Sequence, residues 1–201
     1  INPLRSKYVS EKVNLQDKNV IDVACGGGLL VEALNKFGAK VTGIDISDVA
    51  INTAQIHAEK TNCDVTYIHG EAEDLLPENK ETFDVVTCLE AIEHVPDPQQ
   101  LVKTCSDLCK PGGTIVFSTI NRNPKSFLFA IIGAEYILNL LPKGTHEFKK
   151  FLKPSELSNM MRNSNLEVKE IIGMSYNPLT KKYWLGKDVD VNYMIHAEKS
   201  K

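Results

Sequence analysis

The feature that most constrains this chain is an alternation of short apolar runs with helix-patterned segments, which begins at Asn19 and holds as far as Asn121. Asn19–Val23 is apolar and meets Gly26, Gly27 and Gly28 through Ala24 and Cys25. Leu30, Val31, Leu34 and Phe37 then recur at helical spacing within Leu29–Phe37, and Gly38 ends the pattern as a glycine just past a helix does. Lys40–Ile44 is the next strand and ends at Asp45, after which Ser47 and Asp48 can cap a helix reaching about Thr61. Val65–His69 and Phe83–Cys88 read as strands three and four. Pro96–Leu108 reads as a helix, and Lys110-Pro111-Gly112-Gly113 as a turn into strand Thr114–Thr119. Strands separated by helix-length crossovers pair in parallel. This order therefore predicts an α/β fold: a doubly wound, mostly parallel sheet with helices on both faces.

After Asn121 the rhythm breaks. Phe127–Leu141 is apolar except for Glu135 and Asn139, and it is flanked by Arg122, Lys125, Lys143, Lys149, Lys150 and Lys153. The run is too short to span a bilayer, so it reads as a lid or membrane-contact insertion at about 122–153. The bland alternative is a core helix or a dimer interface. Pro154–Asn163 is one more helix, and Leu166–Gly173 and Val189–Ala197 are two final strands joined by a polar loop, which makes seven strands. A length of 201 residues suits a single domain over the whole chain.

Composition excludes several classes. With 42% hydrophobic and 24% charged residues the chain is neither disordered nor fibrous. Lys+Arg 23 against Asp+Glu 26 leaves a net charge of −3, which argues against nucleic-acid binding through a basic face. The five cysteines are odd in number and contain no C-x-x-C, so neither a disulfide framework nor a zinc ribbon is indicated, and a reducing compartment fits. The chain opens at Ile1 and not at a methionine, which implies cropping or processing.

A glycine-rich turn between a first strand and a first helix lets a ligand approach the backbone. The dinucleotide pattern G-x-G-x-x-G does not fit, because Val31 stands where its third glycine belongs. Instead Asp22 leads the loop through Ala24, Gly26 and Gly28, and an acid there can meet a cationic amino-acid group. Asp45 is placed to accept hydrogen bonds from both hydroxyls of a ribose. Gly70-Glu71-Ala72 puts an acid and a small residue where an adenine edge and face would lie. Together these pieces describe a site for S-adenosylmethionine.

The chain resembles the class I S-adenosylmethionine-dependent methyltransferases and, more narrowly, the ubiquinone-biosynthesis O-methyltransferases. The matching strings include Ile1-Asn-Pro-Leu-Arg5, Glu90-Ala-Ile-Glu93-His94-Val-Pro-Asp97, Ser118-Thr-Ile-Asn-Arg122-Asn, Pro142-Lys-Gly-Thr-His146, Tyr176-Asn-Pro178 and Val189-Asp-Val-Asn-Tyr-Met194. The resemblance implies a Rossmann-like sheet with an antiparallel last strand, and methylation of a ring hydroxyl of a polyprenylated phenol or catechol. It places cofactor contacts on Arg5, Ala24, Asp45 and Leu89. Two of these depart from the bacterial pattern, in which glycine stands at Ala24 and methionine at Leu89. Leucine is close to methionine in volume and keeps an apolar wall; Ala24 suits the loop if its φ is negative. The family has a further N-terminal helix, without which one side of the cofactor cleft is open. Partners implied are an anionic membrane surface and other ubiquinone-biosynthesis proteins. The location implied is peripheral to the bacterial inner membrane on its cytoplasmic side, or the matrix side of the mitochondrial one.

Methyl transfer from a sulfonium is an in-line displacement that needs no enzyme nucleophile, so positioning and deprotonation of the acceptor do the work. A phenol has a pKa near 10, so the site needs a base or a cation that stabilises the phenolate. Glu90, Glu93 and His94 are spaced i, i+3, i+4, and two carboxylates with an imidazole can ligate Mg2+, Mn2+ or Zn2+. A metal there is also what the resemblance implies. The other reading has Glu93 capping the turn and His94 packing beside the cofactor. Catalytic candidates are therefore His94, Glu93 and His146, while His57, His69 and His196 read as structural or exposed. Cys105 and Cys109 read as core. Tyr183 and Lys187 have the spacing of a short-chain dehydrogenase, but Gly186 and their place between the last strands argue against it. A cofactor-sensing module and a methyltransferase with another small acceptor are the remaining alternatives.

Overall fold

The structure is a computed structural model that describes residues 1–126, 148–177 and 180–201. Its strands are β1 (Asn19–Val23), β2 (Lys40–Asp45), β3 (Thr66–His69), β4 (Phe83–Leu89), β5 (Cys109–Ile120), β6 (Leu166–Asn177), β7 (Lys182–Gly186) and β8 (Asn192–Lys199). They form one sheet in the order β3-β2-β1-β4-β5-β8-β6-β7. The first five run parallel; β8 is antiparallel to both β5 and β6, and β7 is antiparallel to β6. The chain winds outward from β1 to β3, then crosses back to β4. That reversal opens a crevice at the carboxyl ends of β1 and β4, where doubly wound sheets bind ligands.

Helices α1 (Asn2–Lys12), α2 (Leu29–Asn35) and α3 (Asp48–Thr61) cover one face, and α5 (Pro98–Leu108) and α7 (Pro154–Arg162) the other, with the short α4 (Leu76–Asn79) and α6 (Pro124–Ser126) at connections. The alternation of side chains along each strand feeds two cores. Val20, Val85, Val116 and Met194 meet Tyr8, Leu34 and Ile51 on the first face. Ile21, Val86, Phe117 and Ile195 meet Leu101, Leu108, Leu157 and Met161 on the second. Each such side chain contributes about 1.5–3 kcal/mol by burial. Caps fix the helix starts: Ser47 accepts from the Ala50 N–H at 3.3 Å, and Asp97 from the Gln100 N–H at 3.0 Å, just before Pro98.

The sheet departs from the expected seven strands. Residues 182–186, which read as part of a polar loop, form β7, held by pairing of Tyr176 with Tyr183 and Ser175 with Trp184. A strand on the edge of the sheet needs no buried row on both sides, and Lys182 and Tyr183 stay exposed, so alternation is faint there. Helix α1 was not legible either, because Ser6, Tyr8 and Val9 are its only buried residues. It stacks on α2, with the Asn2 side-chain amide donating to the Leu29 carbonyl at 2.6 Å. Cys105 and Cys109 are fully buried free thiols, but they do not share a helix face: Cys105 lies on α5 and Cys109 opens β5. Among the described residues no helix is long and apolar enough to cross a membrane. The 127–141 run and His146 lie outside the described residues.

The glycine loop is where the backbone is least ordinary. Gly28 has φ +76°, and a Cβ there would lie 2.1 Å from the Tyr67 hydroxyl, so no side chain fits. Ala24 has φ +58°, against the negative value that a side chain prefers. A left-handed alanine costs roughly 1–2 kcal/mol, and glycine at an exposed position loses about 0.5–1 kcal/mol of that gain to chain entropy. Ala24→Gly should therefore stabilise the protein by about 0.5–1 kcal/mol and raise the Tm by a few degrees. Calorimetry checks this, and an unchanged or lowered Tm would show that the loop has relaxed around Ala24.

Candidate active site

The site assembles at the carboxyl edge because several loops are tied to one another there. The Cys25 N–H donates to the Ile44 carbonyl at 3.0 Å and the Gly26 N–H to Asp45 Oδ2 at 2.8 Å, which pins the glycine loop to the end of β2. The second carboxylate oxygen of Asp45 accepts from the Ser47 N–H at 2.8 Å, and its carbonyl from the Gly70 N–H at 3.0 Å. Asp45 is half-buried, and each carboxylate oxygen keeps capacity for another donor. A Cβ built at Gly26 or Gly27 would meet nothing within 4 Å, so open space lies over the loop. Ile46 and Val49, which follow Asp45, are 72% and 75% exposed and leave apolar surface beside that space. Glu71 caps a 3-10 turn reciprocally with Asp74, and Ala72 is buried beneath it.

Asp22 sits under the loop. The β1–β4 register places it opposite Thr87, whose hydroxyl donates to Asp22 Oδ1 at 2.6 Å. Burial pushes its carboxyl up to about 7, opposed by the Thr87 bond and the Arg5 charge and reinforced by Asp45. A buried acid so poised favours a cation beside it.

Where β4 ends, Leu89 is half-buried and Glu90 takes φ +57°. Non-glycine residues in this region concentrate at functional sites. Glu90 Oε1 accepts from Arg5 Nη2 at 2.6 Å, the Ser118 hydroxyl at 2.8 Å and the Asn192 side-chain amide at 2.9 Å. Glu93 is buried; its Oε2 accepts from the Thr119 hydroxyl at 2.8 Å. Among the described residues Arg5 Nε, Glu93 Oε1 and Asn192 Oδ1 are buried without hydrogen-bond partners. Burial first and the Glu90 charge second push Glu93 up to about 7.

The expected Glu90–Glu93–His94 set is not gathered as a ligand set. Among the described residues no group of three or more His, Cys, Asp or Glu side chains is placed to hold a metal ion. The reason is strand alternation: Ser118 and Thr119 are neighbours on β5 and point to opposite faces. Ser118 draws Glu90 to the α1 side, and Thr119 draws Glu93 to the α5 side. His94 is exposed on the same turn, where its N–H donates to the Ala91 carbonyl at 2.9 Å. His57 pairs with Glu32 on the outer helices, His69 lies against the Ile46 carbonyl at 3.1 Å, and His196 is buried in β8. Tyr183 and Lys187 do not share a helix, which removes the dehydrogenase reading. The partners Thr87, Ser118 and Asn192, and the exposed Ile46, were not singled out from the sequence as site residues. Only strand register reveals the first three.

A switch-point crevice with a glycine loop tied to an acid at the end of β2, and an antiparallel strand beside β5, defines a class I S-adenosylmethionine-dependent methyltransferase. Comparison with known proteins narrows this. Residues 4–171 match the family described as a methyltransferase domain. The chain is 57% identical over 197 residues to the ubiquinone biosynthesis O-methyltransferase of Pseudomonas syringae pv. tomato, covering 98% of this chain and 85% of that protein. It is 52% identical over 200 residues to the protein of that name from Saccharophagus degradans, covering 99% and 85%. Among solved structures, the magnesium protoporphyrin IX methyltransferase of Synechocystis with bound SAH is similar, with a TM-score of 0.74 at 18% identity over 99% of this chain and 82% of that one. The chain belongs to the methyltransferase-domain family and, within it, to the ubiquinone biosynthesis O-methyltransferases.

Because Asp22 is held above its unfolded value of 3.8, at about 7, it stabilises the fold at low pH and progressively loses that contribution as pH rises through 7. Asp22→Asn keeps an acceptor for Thr87 and removes the buried charge. It should raise the stability of the cofactor-free protein by an amount that grows from about pH 4 to about pH 7 and then levels, on the order of 1–4 kcal/mol. Urea melts across that range check it. A gain that is flat with pH would mean that Asp22 is not titrating in the fold.

Proposed function

We propose that this protein transfers the methyl group of S-adenosylmethionine to a ring hydroxyl of a polyprenylated, catechol-type intermediate of ubiquinone biosynthesis. The observation that supports it most is the pairing, on one sheet edge, of a cofactor-type carboxylate tied to a glycine loop with a buried acid, Glu93, pushed up to about 7. The relatives' shared name supplies the acceptor class.

In this reading Asp45 accepts the ribose hydroxyls and Asp22 faces the cofactor ammonium. Arg5, with Nε unspent, meets the cofactor carboxylate. Ala24, Gly26 and Gly28 form the floor beneath the amino-acid part. Leu89, Ile46 and Ala72 bound the adenine, with Glu71 at its edge. The acceptor oxygen attacks the methyl carbon in line as the carbon–sulfur bond breaks, which leaves S-adenosylhomocysteine. The hydroxyl proton goes to Glu93 Oε1. A carboxylate near 7 is matched to that task at neutral pH. His94 and His146 are the other groups proposed to move that proton.

A lipid-tailed acceptor resides in a bilayer, so the reading extends to a peripheral seat on an anionic membrane with other ubiquinone-biosynthesis proteins nearby. The basic residues Lys149, Lys150 and Lys153 support it, each worth roughly 1 kcal/mol near such a surface, whereas Arg122 is paired with Glu156.

Methyl-transfer assays on prenylated catechols test the function. kcat/KM should rise with pH through about 7 and plateau above it, because the ionised form of Glu93 is the base. Glu93→Gln should abolish the rise and lower turnover by about 10²–10⁴. A pH profile unchanged in Glu93→Gln would remove Glu93 as the base.

A metal-assisted reaction is the second reading. It is favoured by Glu93 Oε1, which has no partner among the described residues, and by the like charge of Glu90, a pair that a divalent cation would neutralise. Glu90, Glu93 and His94 would hold Mg2+, Mn2+ or Zn2+ only if the turn after β4 rearranged so that Glu90 left Arg5 and Ser118, and Glu93 left Thr119, to meet on one side; the cation would then acidify the acceptor hydroxyl. Full activity in excess chelator would exclude this reading; loss restored by added metal would establish it.

A further inference from the structure

The β6–β7 hairpin carries two tyrosines that neither the cores nor the cofactor edge use. Tyr176 and Tyr183 are directly paired across the hairpin, with ring centroids 4.3 Å apart and planes 27° from parallel. They remain 37% and 38% exposed. Below them Leu185 already packs against the core and Met174 is buried, so the hairpin does not need the rings to close.

Register fixes where the pair lies. Ser118 is opposite Met194, Asn192 is opposite Ile120 on β5 and opposite Met174 on β6, and Tyr176 follows Met174 by two residues. Directly paired residues, and residues two apart, share a face. Ser118, Asn192, Met174, Tyr176 and Tyr183 therefore line one face, the face on which Ser118 and Asn192 hold Glu90. Strand β6 runs in the same direction as β4 and β5, so its carboxyl end lies on the edge that carries the site. Tyr176 stands about 7 Å beyond the level of Asn192. Tyr183 also lies close enough to Arg5, the partner of Glu90, to feel its charge.

The geometry points to Tyr176 and Tyr183 as the wall that receives the aromatic ring of the methyl acceptor. Adenine is the competing aromatic occupant, but the ribose-type carboxylate Asp45 and the loop after β3 stand at the other end of the strand order, with β1, β4, β5 and β8 between. A pair of partly uncovered rings suits an aromatic partner in offset or edge-on contact, and not an aliphatic alcohol. A ring seated there shares a face with Glu90 and Arg5, beside the turn after β4 whose other acid, Glu93, is held from the opposite face by Thr119. This assignment rests on the proposed O-methylation and adds the residues that select its acceptor.

Steady-state kinetics with a catechol bearing one prenyl group, alongside S-adenosylhomocysteine binding by calorimetry, separates the two. Tyr176→Ala, Tyr183→Ala and Tyr183→Leu should each raise the acceptor KM about tenfold, equivalent to ~1.4 kcal/mol, while S-adenosylhomocysteine affinity stays within about twofold. Tyr176→Phe and Tyr183→Phe should keep the wild-type KM. Tyr183→Leu retains apolar bulk without a ring and so reports on stacking should the alanine variants fail to fold. An unchanged KM in Tyr183→Leu, or a Phe variant as impaired as the Ala variant, would overturn the assignment while leaving the methyltransferase reading intact. A wild-type protein that neither binds nor methylates the catechol would overturn both.

Discussion

Asp45 joins three loops at the carboxyl edge. One carboxylate oxygen holds the glycine loop after β1, the other holds the turn into α3, and its carbonyl holds the turn after β3. Hydrogen bonds from backbone N–H groups to an ionised acceptor are among the stronger ones a protein makes, about 1.5–3 kcal/mol each. Without this side chain the glycine loop, whose Ala24 already sits at positive φ, would keep its Cys25–Ile44 backbone bond but lose its tie at Gly26. The glycine loop and the turn that bears Glu71 and Ala72 are thereby fixed to the same residue.

The second organising constraint is the alternation of side chains on β5. Ser118 and Thr119 send the two acids of the turn after β4 to opposite faces, one into an ion pair with Arg5 and the other into a buried bond with a hydroxyl. The separation gives the two acids different characters. Glu90 is charge-compensated, whereas Glu93 is desolvated and exposed to its neighbour's charge, and is raised to about 7. Asp22 reaches a similar value from burial, with Thr87 and Arg5 opposing. Two acids on one edge are thus poised near neutrality for different reasons, one beneath the cofactor loop and one at the turn after β4.

The centre of the parallel half was legible because β1 and β4 are buried on both faces and read as near-continuous apolar runs, Asn19–Val23 and Phe83–Cys88. Helix α3 was legible through Ser47, and α5 through Pro98 and its buried stripe of Leu101, Val102, Cys105 and Leu108. The edge strand β7 and helix α1 were not, since each buries too little to impose a period. In the site, Asp22, Asp45, Glu90 and Arg5 came from motif positions and resemblance. Their partners did not: Glu90 bonds to Asn192 across 102 residues of sequence, and no local pattern encodes that pairing. The left-handed φ of Ala24 was signalled only by the glycine that the bacterial pattern carries at that position, because alanine itself gives no sign of a conformation usually left to glycine.

The insertion of β8 between β5 and β6 has a consequence for biosynthesis. Strand β8 is made after both of its neighbours, yet it alone joins them. Until Asn192–Lys199 has left the ribosome, β5 and β6 cannot belong to one sheet, and each offers an open edge with unpaired N–H and C=O groups. The β6–β7 hairpin can form early, but it has nowhere to dock. The parallel half and the hairpin therefore wait as two separate pieces. This fold completes only when its penultimate gap is filled by its latest strand, so the nascent chain passes through a stage in which chaperones have two sticky edges to guard.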